Sequence, residues 1–400
     1  MSIFTKWKYY TPRKKVFGID TIDNLGSHIR EENINGKAII LSDAGVIEAG
    51  ITGRAVDALK KANYKVKVFK LPCIEPTTYS CDKAIEFARN NNGAFVVGLG
   101  GGSSIDTAKV VAQLLRIDGK TYDHLKNRTF LKKGAPIIAI PTTSGTGSEM
   151  TQIAVISYAD SKEKSSFSTP FIIPDIAIID PSLTLSMPPG ITSISAADAL
   201  SHAIESMMSR NENMYNDTLA FKAIELIGES APKAVYDGTN LEARTKMAYG
   251  AMFAGMAFNR IGVVEGHAFA RALGSIYHQP HGLCCGLSLP YVMEYHFSHC
   301  KEKWAKISQL FGYSIPNMNI HNAAIEGIKA ITDLLIEIGN PLTWRSFGEQ
   351  KDIPKLVDYL LENPQTSSIW KNNSKRILNK ETATELITRI YKRELGKGVF

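Results

Sequence analysis

"VVGLGGGSSIDTAKVV", residues 96–111, passes from an apolar run through three consecutive glycines into a segment of helical spacing that opens on two serines. Strand, glycine turn and helix in that order leave backbone N–H groups bare where a pyrophosphate can approach, and the helix start adds positive potential. Serine at such a start caps the helix or donates to the anion. A tight strand-to-helix turn is the plainer reading, but it needs fewer glycines than these three. The stretch predicts a phosphate-binding turn, although its spacing is not G-x-G-x-x-G.

Working outward, short apolar runs recur at "KAIIL" (37–41), "YKVKVF" (64–69), "AFVVGLG" (94–100) and "PIIAIP" (136–141). Between them "VIEAGITGRAVDALKKA" (46–62) and "SIDTAKVVAQLLR" (104–116) carry apolar residues at a spacing near 3.6. That alternation predicts parallel strands joined by crossover helices. After "IAIIDPSLTLSMPPG" (176–190) strand signals stop, and the rest reads as helices parted by Gly, Pro and Asn. The expected fold class is an α/β nucleotide-binding domain, 1–187, followed by an all-helical domain, 188–400, with the boundary near Pro188 and Pro189.

A chain of 400 residues with 44% hydrophobic and 21% charged residues is long enough for a sizeable core. The formal net charge of +7 comes from scattered lysines, not a basic stripe, which argues against nucleic acid as a partner. No apolar run reaches the ~18 residues a membrane helix needs, and the start, "MSIFTKWKYYTPRKK", lacks the apolar core of a secretory signal. The five cysteines, Cys73, Cys81, Cys284, Cys285 and Cys300, are an odd number without metal-ligand spacing. Reduced thiols and a cytoplasmic location follow as expectations.

Two further segments belong with the glycine turn. Asp43, just past "KAIILS", is placed to accept from ribose hydroxyls and to repel a 2′-phosphate, favouring NAD over NADP; an Asx turn or helix cap explains it equally well. "IPTTSGTGSEMT" (140–151) offers hydroxyls at Thr142, Thr143, Ser144, Thr146 and Ser148 after another strand, and also reads as an ordinary polar loop.

"SAADALSHAIESMMS" (195–209) is amphipathic, with Leu200, Ala203, Ile204 and Met207 on one stripe and Asp198, His202 and Glu205 on another. An Asp and a His one turn apart can reach one cation, or form a capping or solvated face. In "GHAFARALGSIYHQPHG" (266–282), His267, Arg271, Gly274 and His278 share a helical face, while His281 follows Pro280. His267 and His281 converge only if the helix ends around Gly274 and the chain folds back; singly, each reads as a core histidine. Together, one Asp and three His make an O/N site suited to Fe²⁺ or Zn²⁺ with room for a substrate oxygen.

"GGGSSIDTAK", "PTTSGTGSE", "DPSLTLSMPP", "DALSHAIE", "AGMAFN" and "HGLCCGLSLPYVM" occur in this order over most of the chain. With these motifs the chain resembles the iron-dependent (group III) alcohol dehydrogenase family, the group that contains lactaldehyde reductase and 1,3-propanediol dehydrogenase. The resemblance implies a dehydroquinate-synthase-like fold with the site in the cleft between its two domains, and an NAD-linked alcohol dehydrogenase or aldehyde reductase active as a dimer. It implies metal ligands at Asp198, His202, His267 and His281, and cofactor contacts from Asp43, Gly101, Gly102, Ser103, Thr142, Thr143 and Lys164, the last in "DSKEKSS". This chain departs from the family at Arg271, where a second histidine is common, and at Arg260, where "AFNN" becomes "AFNR". Those departures leave the usual proton route open.

Arg271 cannot act as a neutral base, but it can pair with an oxyanion, which predicts a substrate carrying an acidic group. Pairing with Glu265 or Glu205 is the alternative, and would leave the pocket neutral. Other readings are a metal-independent reductase similar to maleylacetate reductase, a lyase similar to dehydroquinate synthase, and a binding module with no chemistry. A complete ligand set argues against the first. The second would carry more basic substrate contacts, and the third makes the glycine and histidine constellations accidental.

Overall fold

"KAIILS" and "GAFVVGLG" are apolar along their whole length, as strands covered on both faces must be. The computed structural model describes residues 6–72, 75–127, 132–161 and 163–396. Cys73 and residues 1–5 of the basic, aromatic start lie outside that set. Contacts divide the chain into two compact units, one Lys8–Met187 and the other running on from Pro188 and taking in Trp7.

The first unit carries the strands β1 (Lys14–Phe17), β2 (Lys37–Ser42), β3 (Val66–Lys70), β4 (Gly93–Gly100), β5 (Ile137–Pro141), β6 (Ile153–Ser157), β7 (Lys164–Ser168) and β8 (Ile176–Ile179). Six of them form a parallel sheet in the order β1-β8-β5-β4-β2-β3, while β6 and β7 pair as a separate antiparallel ribbon. Alternate residues feed opposite cores: Ile39, Leu41, Val96 and Ile137 pack with Val110, Val111 and Leu114. Ala38, Ile40, Val97 and Leu99 turn the other way, onto Ile22, Leu25 and Leu59.

The strand order reverses beside β2. From β2 the chain moves outward to β3, then crosses back to β4 on the other flank of β2 and continues to β5. In open parallel sheets, ligands bind outside the carboxyl ends of strands at such a reversal. Asp43 follows β2, the glycine triplet straddles the end of β4, and Thr142 follows β5.

A buried polar network locks two of these loops together. The glycine-turn helix, Gly102–Leu114, carries Lys109, whose Nζ donates to Ser148 Oγ (2.8 Å), Thr151 Oγ1 (3.1 Å) and the Ile153 carbonyl (2.6 Å). Asp106 accepts from Ser148 Oγ at 2.5 Å and from the Val155 N–H at 2.8 Å. Burial pulls the Lys109 ammonium down to about 8, against the pull of Asp106 and Glu149.

From Pro188 on, the described residues contain helices and no strand. The helix Pro189–Met208, with proline at its first turn, packs on Met214–Tyr236, Leu241–Phe258 and His281–Tyr295. Its Leu200, Ile204 and Met207 join Ile224, Ile227 and Trp304 in one core; Phe269, Tyr291, Trp344 and Ile387 belong to another. The polar stripe expected on this helix is buried as well, Asp198, His202 and Glu205 included. No described helix is long and apolar enough to cross a membrane.

One pH effect follows from the first unit. Burial pushes the Glu149 carboxyl up from 4.5 to about 7, with its own backbone N–H and Lys109 opposing. Because its folded value lies above its unfolded one, its contribution is complete below pH 4.5 and lost as pH rises through about 7. Glu149→Gln should therefore gain roughly 1–3 kcal/mol on the parent as pH crosses that window. Urea midpoints of both proteins measured on either side of it check this; midpoints that move in parallel contradict it.

Candidate metal centre

The cofactor-type loops are built first by strand geometry. Asp43 caps the short helix after β2, its Oδ1 accepting from the Val46 N–H at 3.1 Å, and its Oδ2 accepts from Ser104 Oγ at 3.3 Å. The cap expected on plain grounds is there, and so is the juxtaposition with the glycine turn. A Cβ at Gly102 would lie 2.7 Å from Thr146 Cγ2, so only glycine lets the two loops meet this closely. Thr142 donates its backbone N–H to the Gly100 carbonyl at 3.0 Å, and Thr143 lies beside Gly101. Gly101 caps the helix and Ser103 lies in its first turn. Lys164 is the first residue of β7 and pairs with Glu75 at 2.6 Å.

In the helical unit the helix Glu265–Tyr277 ends three residues later than the expected stop near Gly274, and it ends on His278 in the left-handed conformation, φ 54°. Pro280 then caps a new helix whose first residue is His281. That reversal returns His281 to His267, with ring centroids 5.2 Å apart. Asp198 Oδ1 is 3.8 Å from His267 Nε2 and 3.9 Å from His281 Nε2. The nearby donor atoms of Asp198, His267, His281 and Cys285 all lie within 4.8 Å of one another. His202 flanks this set: its Nδ1 is 3.9 Å from Asp198 Oδ1 and its ring is stacked on Phe258 at 4.2 Å.

Glu205 holds the group in place. Its Oε1 accepts from His267 Nδ1 at 2.7 Å, and its Oε2 accepts the N–H groups of Val264 (2.8 Å) and His267 (3.2 Å). A carboxylate on Nδ1 keeps the proton there and turns the lone pair of Nε2 toward Asp198. The same carboxylate satisfies N–H groups at a helix start, where negative charge is favoured. A Cβ at Gly266 would meet Glu205 Oε1 at 2.4 Å, which is why glycine stands there.

Electrostatics and hydrogen bonding both leave the cluster short of positive charge. Burial pushes the Asp198 carboxyl up to about 6, with His267 pulling the other way. Burial works against a charge on His267, yet Glu205 and Asp198 together raise it. Burial and the neighbouring Asp198 and Glu205 drive the Cys285 thiol upward. Asp198 Oδ1 and His267 Nε2 are buried without a hydrogen-bond partner among the described residues. Two such atoms facing each other, one anionic and one a lone-pair donor, fit a divalent cation.

Arg271 lies one helical turn beyond His267 and makes no ion pair among the described residues; its Nη1 donates to the Gln365 carbonyl at 3.2 Å. Neither carboxylate considered for it is available, since Glu205 serves His267 and Glu265 accepts from His296 Nε2 at 2.8 Å. Arg260 is exposed, with φ 71°, and closes the helix Leu241–Phe258. Reading the sequence alone missed the role of Glu205, although its place at i+7 from Asp198 was the signal. Cys285 was legible only as a neighbour of His281.

A parallel α/β unit with a triple-glycine turn at its strand reversal, together with an all-helical unit in which the buried Asp198 and His267 meet the half-buried His281, defines a metal-dependent dehydrogenase class. The iron-containing alcohol dehydrogenase model matches residues 12–181, and the C-terminal model of the Fe-containing alcohol dehydrogenase family matches 192–391. The chain belongs to the iron-containing alcohol dehydrogenase family and is an oxidoreductase of it. It is 37% identical over 313 residues to long-chain-alcohol dehydrogenase 1 of Geobacillus thermodenitrificans, covering 78% of this chain and 79% of the relative. A solved 1,3-propanediol oxidoreductase superposes with a TM-score of 0.90 at 29% identity, over 97% of this chain and all of that one (100%). Sulfoacetaldehyde reductase from Bifidobacterium kashiwanohense, solved in complex with NAD⁺, gives 0.84 at 28% identity over 96% and 99% of the two chains. The dehydroquinate-synthase-like fold expected from the motifs is therefore the fold observed.

Glu205→Gln keeps the shape of the side chain but exchanges one acceptor oxygen for an NH₂ group. Losing an outer partner of a metal-binding histidine weakens metal affinity by about 10- to 100-fold. Calorimetric titration of the metal-free protein with Zn²⁺ checks this, and unchanged affinity would remove the positioning role.

Proposed function

We propose that this oxidoreductase exchanges a hydride between NAD(H) and a small alcohol or aldehyde. In this reading Asp198, His202, His267 and His281 hold Fe²⁺, or Zn²⁺ in its place, and Asp43, Gly101, Gly102, Ser103, Thr142, Thr143 and Lys164 contact the dinucleotide. Residues 1–187 serve as the dinucleotide-binding domain and 188–400 as the metal-binding and substrate domain. A homodimer in a reducing cytoplasm fits the family and the buried thiols Cys81, Cys284, Cys285 and Cys300.

The observation that carries the proposal is the pair of buried, unsatisfied atoms, Asp198 Oδ1 and His267 Nε2, facing each other 3.8 Å apart. A bound divalent cation supplies Lewis acidity toward a substrate oxygen. The chain's own part is preorganisation. Glu205 fixes the proton of His267 on Nδ1, and burial of Asp198 and His267 keeps water from competing for them. On the cofactor side, bare backbone at Gly101 and Gly102 admits a pyrophosphate, and Asp43 favours an unphosphorylated ribose. Hydride transfer itself is the chemistry of the nicotinamide.

Arg271 sets the substrate preference. A guanidinium without an ion pair among the described residues, one turn from His267, is matched to an acidic group on the substrate. The similarity to a sulfoacetaldehyde reductase, named for an aldehyde with an anionic sulfonate, points the same way.

Two outcomes test this. Replacing His267 by Ala should abolish both metal uptake and NADH oxidation with aldehydes; full turnover by metal-stripped parent protein would refute the metal's role. Arg271→Leu should lower kcat/KM for an ω-carboxylate aldehyde by about 10- to 100-fold, the loss of one or two charge-assisted hydrogen bonds, and leave the uncharged analogue unchanged. Equal losses on both substrates would sink the acidic-group preference.

A further inference from the structure

Phe258 has no part in the mechanism above, yet its ring covers a face of His202. The two rings are stacked, with centroids 4.2 Å apart and planes only 11° from parallel. His267 also adjoins His202, at a centroid distance of 4.6 Å and an angle of 36°. His202 Nδ1 lies 3.9 Å from Asp198 Oδ1, the same separation that His281 Nε2 keeps from it. Both members of the stack are buried, His202 and Phe258 alike.

The backbone gives the phenyl ring a fixed seat. Phe258 is the last residue of the helix Leu241–Phe258, and its carbonyl accepts the N–H groups of Ile261 (3.1 Å) and Gly262 (2.9 Å). The turn that follows passes through left-handed backbone at Arg260 (φ 71°) and Gly262 (φ 84°). Ser209, which ends the helix bearing His202, donates its Oγ to the Ile261 carbonyl at 2.9 Å. Asn216 Nδ2 donates to the Ala257 carbonyl at 2.7 Å, one residue before Phe258. Phenyl ring and imidazole are therefore held on one framework.

We propose that Phe258 is a positioning residue for the metal centre, holding the plane of the His202 imidazole as Glu205 holds that of His267. The inference rests on the reading of Asp198, His202, His267 and His281 as metal ligands. An imidazole nitrogen offers its lone pair in the plane of the ring, and the last side-chain torsion of histidine is broad, so a ring free to turn loses its aim. A flat neighbour at stacking distance blocks that turn. Ligation also draws electron density from the imidazole, and the electron-rich phenyl face favours the more positive ring. Phe258 donates nothing to the cation, so all four ligands and the place for a substrate oxygen are kept.

Zn²⁺ affinity of the metal-free full-length protein, read by competition with a chromophoric chelator, tests this without turnover. Phe258→Leu and Phe258→Met should each weaken binding by about 2- to 10-fold, the worth of one aromatic pair. Phe258→Tyr, which keeps the ring face, should bind as the parent does. Phe253→Leu makes the same change on the same helix, where the ring faces Tyr249 at 6.0 Å, and should leave Zn²⁺ affinity unchanged. Thermal midpoints of the metal-free variants show which are folded. In a His202→Ala background, which retains Asp198, His267 and His281, Phe258→Leu should cost nothing further; if that background binds too weakly to titrate, the contrast between Leu and Tyr decides. Unchanged affinity in folded Phe258→Leu and Phe258→Met, equal losses in Phe258→Tyr or Phe253→Leu, or a full loss persisting without His202 overturns the proposal and leaves the metal site standing. Failure of the parent to bind Zn²⁺ at all overturns both.

Discussion

A single carboxylate, Glu205, joins two stretches of chain separated by 62 positions and decides what both can do. It leaves the helix Pro189–Met208 from the face that also bears Asp198 and His202, and it ends on the start of the helix that carries His267. Burying an unpaired carboxylate costs several kcal/mol. Three hydrogen bonds to it, each worth roughly 1.5–3 kcal/mol when the acceptor is charged, offset that cost only if all are made. The position of His267, its tautomer and the helix start are therefore fixed together, and Gly266 is the residue that leaves room for it.

The α/β unit solves a similar problem by similar means. Lys109 on the glycine-turn helix reaches the loop after β5 and the start of β6, and Asp106 answers it from one turn away. Such a network rigidifies where every member is satisfied and penalises any half-made version. It holds the hydroxyl-rich loop against the bare backbone of Gly102, beside the strand reversal where a parallel sheet opens to ligands. In both units, a buried charge pins a loop or helix start that local propensity alone would leave adjustable.

The legible part of this structure is the part governed by period and composition. "KAIILS", "AFVVGLG" and "PIIAIP" announce buried parallel strands because both faces are covered, and their observed bounds differ from the reading by only a residue or two. The edge strand β1 and the ribbon β6–β7 escaped notice because short, mixed segments such as "KKVF" and "KSSFS" carry no clear alternation. The stripe of Asp198, His202 and Glu205 was visible as spacing, but a stripe does not say whether solvent or another helix faces it. The reversal at His278 was hidden because a histidine, not a glycine, takes the left-handed position. The family motifs implied a ligand set that spacing left open; neither they nor the spacing disclosed that Cys285 lies with Asp198, His267 and His281.

Burial, orphaned donors and the grip of Glu205 all come down to one claim, that a cation sits among Asp198, His267 and His281. Anomalous diffraction at the zinc absorption edge, from crystals of zinc-loaded protein, tests it with no reference to turnover. The account predicts one strong peak per chain at bonding distance from the Asp198 carboxylate and the Nε2 atoms of His267 and His281. A map with no peak there, or with its strongest peak on other residues, would contradict it.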